Sequence, residues 1–337
     1  MSKDRIKSER MLDIIVTHYD EPWAVGKAAF DILGMQRGIN FDDFRVLLIN
    51  DGEEHAIRAE DIPKYPYRVD VLTIPHGGIS AARNAGIENS TAEWINFCDF
   101  DDTYSNIYAL RDVMNVLPAP SYDLLWAHLL TEDFVDGNDI LYDTPRSSIF
   151  VFVHGKYYRR SHLLETGIRF DESLRFNEDS AFNAILNAIT DFHRVGEIKT
   201  AFPPYTWNRR MGSTTQRDGV DDPANWGHFL RNLSVCRTYL EKLPKERYED
   251  MIVRTVYDTY YMANNHKISP EMRDQICEKF REFVREEHPY EMIRPDDDTL
   301  QQIKEVSRRE LMDENHPVGD DYKIVDKWFD EEILVQK

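Results

Sequence analysis

Three aspartates, Asp99, Asp101 and Asp102, lie within four residues at the end of an apolar run typical of a buried strand. Carboxylates this close repel one another unless a cation or several hydrogen-bond donors compensate them. Hard divalent ions such as Mg²⁺ and Mn²⁺ bind carboxylate oxygens and commonly bridge to substrate phosphates. The pattern therefore predicts a metal-bound diphosphate or, equally well, a solvated acidic turn in which Asp102 or Ser105 caps a helix.

A second acidic pair, Glu178 and Asp179, opens a stretch with the apolar spacing of a helix. In a closed site, one carboxylate can accept a proton from a hydroxyl nucleophile. Acidic residues are also favoured in the first turn of any helix, because the helix dipole stabilises negative charge there. Taken alone, the pair favours an ordinary helix start.

Two further segments carry arginines suited to phosphate. The glycine-rich segment HGGISAARNAG, residues 76–86, contains Arg83 one turn into a predicted helix, but it matches neither GxGxxG nor GxxxxGKS. The loop TWNRRMGSTTQ, residues 206–216, offers Arg209 and Arg210 beside several hydroxyls. Guanidinium groups match the geometry of phosphate oxygens. Both segments are equally compatible with ordinary surface structure.

The first third of the chain predicts the elements that must position these residues. Four apolar, β-branched runs alternate with two helical patterns in the order β-α-β-β-α-β, which predicts an α/β fold with a mostly parallel sheet and helices on both faces. Ligands of such sheets bind beyond the carboxyl ends of the strands. The polar residues at those predicted ends are Thr17, Tyr19, Glu21, Asp51, His76, Asp99, Asp101 and Asp102.

Later segments predict more strands, a short helix that ends at Gly167 and a strand followed by a loop near residue 205. From about residue 220 the β patterns give way to amphipathic helical spacing. We therefore predict one α/β domain over residues 1–219 and a C-terminal helical extension over residues 220–337.

Composition excludes several classes of protein. The chain has 337 residues and a formal net charge of −20, so bulk electrostatics disfavour nucleic acid and anionic membranes as partners. The three cysteines have no metal-binding spacing, and neither HExxH nor GxSxG occurs. We find no signal peptide and no apolar run long enough to span a bilayer. These features together lead us to expect a cytoplasmic protein without a transmembrane segment.

Read in order, the segments resemble the GT-A type, family 2 glycosyltransferases. The resemblance covers roughly residues 11–216 and rests on IIVTHYDE, LLINDG, HGGISAARNAGIENSTAEWINFCDFDD, VHGKYYRRSHLLETGIRFDESLRFNED and YTWNRRMGST. It implies a GT-A Rossmann-like fold, a nucleotide-sugar donor, Mn²⁺ or Mg²⁺ as cofactor, and inversion at the anomeric carbon.

The resemblance also implies a role for each candidate residue. The nucleotide of a UDP-sugar would lie against Thr17, Tyr19, Glu21 and Asp51, with Arg83 near the base or phosphates and Asp99 near the ribose. Asp101 would hold the metal, with Asp102 assisting. Asp179 would be the general base, with Glu178 beside it, and Arg209 or Arg210 would stabilise the leaving diphosphate. His154 remains open as a metal contact, an acceptor contact or a structural residue.

Two other functions stay open. One is a non-catalytic module, derived from a transferase, that binds a glycan or a protein partner. The other is a metal-dependent nucleotidyltransferase, because those enzymes also use acidic metal sites on α/β sheets.

The expected acceptor is a neutral glycan or glycosylated carrier rather than teichoic acid, since the C-terminal helical extension has no basic stripe. The C-terminal helices are a candidate surface for homo-oligomerisation.

Overall fold

The computed structural model describes residues 10–135, 139–143, 152–174, 178–209, 259–260, 263–264, 269–287 and 327–333. The chain divides into two compact units, Met1–Arg217 and Asp218–Lys337. The predicted domain boundary between residues 219 and 220 lies outside the described residues, so it stays a prediction.

The described strands all belong to the first unit. They are β1 (Leu12–His18), β2 (Phe44–Asp51), β3 (Arg68–Ile74), β4 (Trp94–Asp99), β5 (Thr103–Tyr104), β6 (Leu124–Trp126), β7 (Leu129–Val135), β8 (Asp139–Asp143), β9 (Lys156–Arg159), β10 (Val195–Glu197) and β11 (Tyr205–Arg209). Seven of these strands form one sheet in the order β10-β6-β9-β4-β1-β2-β3. All neighbours in it run parallel except β9, which is antiparallel to both β4 and β6. The mostly parallel sheet predicted from the sequence is confirmed.

A second sheet of four described strands has the order β5-β11-β7-β8. Strand β11 pairs antiparallel with β5 and parallel with β7. The sequence does not predict this sheet, because β5 is only two residues long and its partner lies about a hundred residues further along the chain. The sheet begins directly after the acidic turn, so it constrains the path of the chain beyond β4.

The described α-helices flank the larger sheet or belong to the second unit. They are α1 (Trp23–Gly34), α2 (Ile79–Asn89), α3 (Ala109–Met114), α4 (Arg160–Thr166), α5 (Glu178–Ile189) and α6 (Pro270–Glu287). Short 3-10 turns occur at Phe41–Asp43, Ala59–Asp61 and Phe192–Arg194. Helix α4 ends at Gly167, as predicted. Gly167 has a φ of 69°, a left-handed backbone conformation that glycine adopts at little energetic cost.

The central strands are buried along almost their whole length. All eight residues of β2 are buried, and β1 has a single partly exposed position. Parallel strands covered on both faces read as continuous apolar runs, which is why these segments are recognisable in the sequence. Helix α2 packs so closely on β1 that a Cβ on Gly86 would collide with Ile15. This close contact holds the second half of α2 against β1.

A buried ion pair lies near the amino-terminal ends of β1 and β2, at the end of the sheet opposite Asp99 of β4. Arg45 in β2 donates to both carboxylate oxygens of Asp13 in β1, at 2.8 and 2.9 Å, and to Asp70 in β3 at 2.6 Å. Asp13 has no exposed surface and also accepts from Ser90 Oγ at 2.8 Å and Thr91 N at 2.7 Å. Burial opposes ionisation of Asp13, but Arg45 and these donors outweigh it and lower the pKa of the carboxyl.

The described part of the second unit is helical. In it, Phe280 of α6 lies against Trp328, with ring centroids 6.0 Å apart, and Tyr260 contacts the same indole at 5.5 Å. A π-helical turn, Phe329–Ile333, comes directly after Trp328. Among the described residues of the whole chain, we find no helix with the length and apolar character that crossing a membrane requires.

The Asp13–Arg45 pair allows a prediction about stability. Replacing Asp13 by alanine leaves Arg45 partly unpaired in the sheet, so we expect the free energy of unfolding to fall by about 3–5 kcal/mol. Chemical denaturation at neutral pH measures this loss. The matched control Glu54→Ala, whose side chain is 90% exposed, should change it by less than about 0.5 kcal/mol. Equal losses in the two variants would contradict the assignment.

Candidate active site

The acidic turn after β4 is held by strand β11. Tyr205 Oη donates to Asp102 Oδ2 at 2.6 Å, and the backbone N–H of Asn208 donates to Asp102 Oδ1 at 2.8 Å. The side-chain amide of Asn208 donates to the carbonyl of Asp101 at 2.6 Å. Phe100 points into the core, where a Cβ on Gly26 of α1 would collide with its ring. The turn is therefore built into the fold and is not the solvated acidic turn considered from the sequence.

His154 faces two carboxylates of this turn. Its Nε2 lies 3.2 Å from Asp99 Oδ2 and 3.4 Å from Asp102 Oδ2. The imidazole stacks on Tyr205 and on Trp207, with ring centroids 5.4 and 5.3 Å away. Potential ligand atoms of Asp99, Asp102 and His154 all lie within 4.8 Å of one another.

The electrostatics of this group result from its burial. Burial, together with the charges of Asp99 and Asp101, raises the pKa of Asp102 to about 8, even though His154 and Tyr205 act against the shift. Burial also disfavours ionised Asp99, but Arg83 and His154 outweigh it and hold the pKa of Asp99 well below its usual range. For His154, burial disfavours the charged ring, whereas Asp99 and Asp102 favour it and raise the pKa.

The donor set of this group fits a divalent cation. Two carboxylates and an imidazole nitrogen are ligands that such ions accept. A cation here would also place a compensating positive charge beside buried Asp102. The family resemblance implies Asp101 and Asp102 as the ligands. The structure brings Asp102 together with Asp99 and His154, and Asp101 is not a member of this three-residue group. The assignment of Asp101 as the metal-holding residue stays a prediction.

Arg83 joins the acidic turn to the start of α5. Its Nη2 donates to Asp99 Oδ1 at 2.9 Å, and its Nη1 donates to Glu178 Oε1 at 2.7 Å. Glu178 is nearly buried, and burial and the charge of Asp179 raise its pKa to about 7 against the influence of Arg83. The predicted contact of Arg83 with a base or phosphate stays a prediction, while its described partners are two protein carboxylates.

Asp179 lies beside Glu178 in the first turn of α5 and is partly exposed. Its Oδ1 accepts a hydrogen bond from the backbone N–H of Ser180 at 2.7 Å. An acidic side chain in this position is favoured by the helix dipole, as the sequence indicates. The structure adds that the Glu178 neighbour of Asp179 is tied to the acidic turn through Arg83, so the two acidic motifs lie at one place in the fold.

Asp51, at the end of β2, organises the glycine-rich turn that leads into α2. Its carboxylate accepts hydrogen bonds from the backbone N–H groups of Gly77 and Gly78 at 2.7 and 2.9 Å, and from His76 Nδ1 at 2.9 Å. Gly78 has a φ of 88°, a conformation that favours glycine. The His76 ring stacks on Tyr19, with centroids 4.6 Å apart, and Tyr19 is 50% exposed. A flat aromatic pair thus stands at the carboxyl edge of the sheet.

The end of β1 lies between this aromatic pair and the acidic turn. Thr17 is in register with Asp99 of β4. His18 Nδ1 lies 2.8 Å from Asn50 Oδ1, and His18 Nε2 lies 2.8 Å from the carbonyl oxygen of Glu21. The second contact holds Glu21 near the end of β1, at the edge that also carries Thr17 and Tyr19.

Of the two arginines predicted to contact a diphosphate, the structure describes one. Arg209 ends β11, and its guanidinium lies over the Trp207 ring, 5.3 Å from the centroid. This position is on the same strand that clamps Asp102. Arg210 lies outside the described residues, so its role stays a prediction.

Sequence reasoning misses several residues that shape the site. It does not identify Tyr205 or Asn208, and it leaves the role of His154 open. Each of them acts on the acidic turn across 50 or more residues of chain, and no local spacing signals such a contact. The loop predicted over residues 206–216 is wrong at its start, because Tyr205–Arg209 form β11, whose partners β5 and β7 lie far away in the chain.

Comparison with known proteins gives one family. Residues 13–176 match the family model described as "Glycosyl transferase family 2". A relative in Bacillus subtilis (strain 168), the minor teichoic acid biosynthesis protein GgaA, is 29% identical over 192 residues, which cover 51% of this chain and 42% of GgaA. The uncharacterized glycosyltransferase EpsJ of the same organism is 28% identical over 228 residues, which cover 61% of this chain and 63% of EpsJ. The chain thus spans less than two thirds of these relatives.

Solved structures share the fold. S. aureus TarS 1-349 in complex with UDP-GlcNAc is similar with a TM-score of 0.60 and 17% identity, over 92% of this chain and 95% of that one. The mannosyltransferase PcManGT from Pyrobaculum calidifontis, in complex with GDP-Man and Mn²⁺, gives a TM-score of 0.53 and 13% identity, over 97% and 85% of the two chains. Both likenesses support the predicted GT-A fold.

The clamp on the acidic turn allows a second prediction. Tyr205→Phe removes a donor from buried Asp102, so we expect the free energy of unfolding to fall by about 1–3 kcal/mol. The control Tyr108→Phe removes a hydroxyl from a residue that is 43% exposed and should cost less than about 0.5 kcal/mol. Urea denaturation of both variants at pH 7 tests this. Indistinguishable stabilities of Tyr205→Phe and the wild type would refute the clamp.

Proposed function

We propose that this chain, whose residues 13–176 match the model of glycosyl transferase family 2, transfers a sugar from a UDP-sugar to a hydroxyl group of an acceptor. One observation carries the proposal. The acidic turn of β4 and the acidic start of α5 lie at one edge of the sheet and are joined by Arg83. Such an edge holds the ligand in open α/β sheets.

The nucleotide lies along the ends of β1 and β2 in this proposal. The exposed Tyr19 ring, backed by His76, offers a flat surface for the uracil base. Thr17, Glu21 and Asp51 border the same surface, and Asp99 lies next to Thr17 in register, near the ribose. Complexes of TarS with UDP and UDP-GlcNAc support a uridine donor by analogy with a similar fold.

A divalent cation, Mn²⁺ or Mg²⁺, would complete the site. Asp101 and Asp102 would hold it, and the proximity of Asp99 and His154 to Asp102 supports this corner as its position. The ion supplies positive charge that stabilises the departing diphosphate. Arg209 or Arg210 would add a guanidinium group that stabilises the leaving diphosphate, where negative charge develops.

Asp179 is the general base in this mechanism. Its carboxylate takes the proton from the acceptor hydroxyl, whose oxygen attacks the anomeric carbon as the bond to the diphosphate breaks. Glu178 stands beside it in the same helical turn and is held by Arg83. A single displacement of this kind inverts the anomeric carbon and needs no covalent sugar-enzyme intermediate.

The acceptor in this proposal is a saccharide or glycosylated molecule, either a teichoic acid or a neutral glycan. GgaA and GgaB are named for the biosynthesis of minor teichoic acid, which favours a teichoic acid as acceptor. The net charge of −20 favours a neutral glycan instead. An acceptor screen that includes a teichoic acid and neutral glycans distinguishes the two acceptor classes.

We propose that the C-terminal extension over residues 220–337 contributes to acceptor choice or to homo-oligomer contacts.

Donor binding gives a third prediction. Isothermal titration of the chain with UDP should yield an affinity at least about tenfold higher with Mn²⁺ than with EDTA, since the cation links the diphosphate to the acidic turn. Asp101→Asn should lose most of this gain, and Asp112→Asn on α3 should keep it. UDP binding that ignores Mn²⁺ in the wild type would remove the basis for a cation-dependent donor site.

The general base gives a fourth prediction. Asp179→Asn should keep wild-type affinity for UDP with Mn²⁺ but lose transfer by roughly 10²–10⁴-fold, because the amide cannot accept the proton. The control Asp191→Asn changes an exposed carboxylate that starts a 3-10 turn and should transfer normally. Near-normal turnover by Asp179→Asn would exclude it as the base.

Assays with two sets of substrates separate the alternatives. Release of UDP from a UDP-sugar and an acceptor identifies a sugar transferase, whereas release of pyrophosphate from a nucleoside triphosphate and a sugar phosphate identifies a nucleotidyltransferase. Tight glycan binding without turnover of any UDP-sugar in the panel would favour the non-catalytic module.

A further inference from the structure

Arg83 is buried between two acidic elements of the site. It is 2% exposed, and its guanidinium lies 5.4 Å from the centroid of the Phe170 ring. Each terminal nitrogen donates to a different carboxylate: Nη2 to Asp99 Oδ1 at 2.9 Å, and Nη1 to Glu178 Oε1 at 2.7 Å. These two partners lie 16 and 95 residues away in the chain, so Arg83 is a bridge between separate elements.

Several negative charges meet at this point. Asp99 and Glu178 flank the guanidinium, and Asp179 contributes to the same electrostatic field. Without a cation between them, the partly exposed Asp99 of the acidic turn and the buried Glu178 of α5 would repel one another and favour separation. Arg83 is the residue that hydrogen-bonds to both, so it opposes that separation.

We propose that Arg83 is a positioning residue that acts on the protein's own carboxylates: by binding Asp99 and Glu178 together, it fixes the start of α5 relative to the acidic turn. This inference rests on the proposed function, because the acidic turn is where the nucleotide leaves and α5 carries the base Asp179. Holding the two elements together sets the distance between the departing bond and the base. Small displacements in such an arrangement reduce the rate strongly.

The shape of the guanidinium is essential to this role. A planar fork directs two nitrogens at two partners at once, whereas a lysine ammonium carries the same charge at one point. Arg83→Lys therefore keeps the positive charge and removes the bridge. Glu178→Gln keeps an oxygen that accepts from Arg83 but weakens the bond, because one partner is no longer charged.

The test combines kinetics with amide hydrogen exchange. We expect Arg83→Lys to lower kcat at least about 30-fold, while the Kd for UDP with Mn²⁺ stays within about threefold of the wild type. We expect faster exchange of the amides in the first turns of α5, residues 181–184, because the helix start is no longer tied to the acidic turn. The matched control Arg111→Lys, in an arginine-aspartate pair on α3, should leave all three quantities unchanged.

A second variant protects the test against a misfolded Arg83→Lys. Glu178→Gln should lower kcat and speed exchange at α5 in the same direction, and the double variant should be no worse than the more impaired single variant, since both changes break one bridge. Independent, multiplicative losses in the double variant would overturn the proposal. A tenfold or larger rise in the Kd for UDP with an unchanged kcat would also overturn it, because Arg83 would then be a donor ligand.

Failure of the proposed function is recognisable separately. If the wild type transfers no sugar, the exchange measurement still decides whether Arg83 holds α5 to the acidic turn. Unchanged exchange in both Arg83→Lys and Glu178→Gln contradicts the positioning role whatever the reaction is.

Discussion

Compensation of buried negative charge at the carboxyl end of β4 is the constraint on which the site depends. Asp99 and Asp102 are held by groups from distant elements: Arg83 of α2, His154 before β9, and Tyr205 of β11. Each of these groups must arrive at the turn for the carboxylates to be buried at acceptable cost. Helix α2, the segment before β9 and strand β11 therefore each contribute a side chain to this turn.

The same constraint explains the electrostatic asymmetry within the turn. Asp99 has an arginine partner and a low pKa, whereas Asp102 has neutral donors besides His154, and burial raises its pKa to about 8. The described hydrogen bonds and ion pairs of Asp102 include no arginine, whereas Asp99 is bound by Arg83. In the proposed mechanism, a cation bound with the substrate would supply the positive charge that Asp102 does not receive from an arginine.

Local pattern is sufficient to predict the first four strands of the larger sheet. Strands β1, β2 and β4 are buried on both faces and read as apolar runs, and the turns after them carry the polar residues. The resemblance to family 2 glycosyltransferases then predicts which of those residues belong to one site. Helix α4 with its terminal Gly167 is equally readable, because a cap is a local signal.

The second sheet and the partners of the acidic turn cannot be predicted in this way. Strand β5 has two residues, and its pairing with β11 depends on the closure of about a hundred residues of intervening chain. Tyr205 and Asn208 contact Asp102 through that pairing, so their role appears only once the strands are paired. Arg83 is recognisable as a candidate, but its contact with Glu178 depends on where α5 lies, which no spacing indicates.

The most direct measurement of the central claim is anomalous difference density from crystals grown with Mn²⁺ and UDP. The account predicts one strong manganese peak beside the carboxylates of the β4 turn, in contact with the diphosphate of a nucleotide whose base lies on Tyr19. A nucleotide bound elsewhere, or bound at this edge with no manganese near the turn, would contradict it.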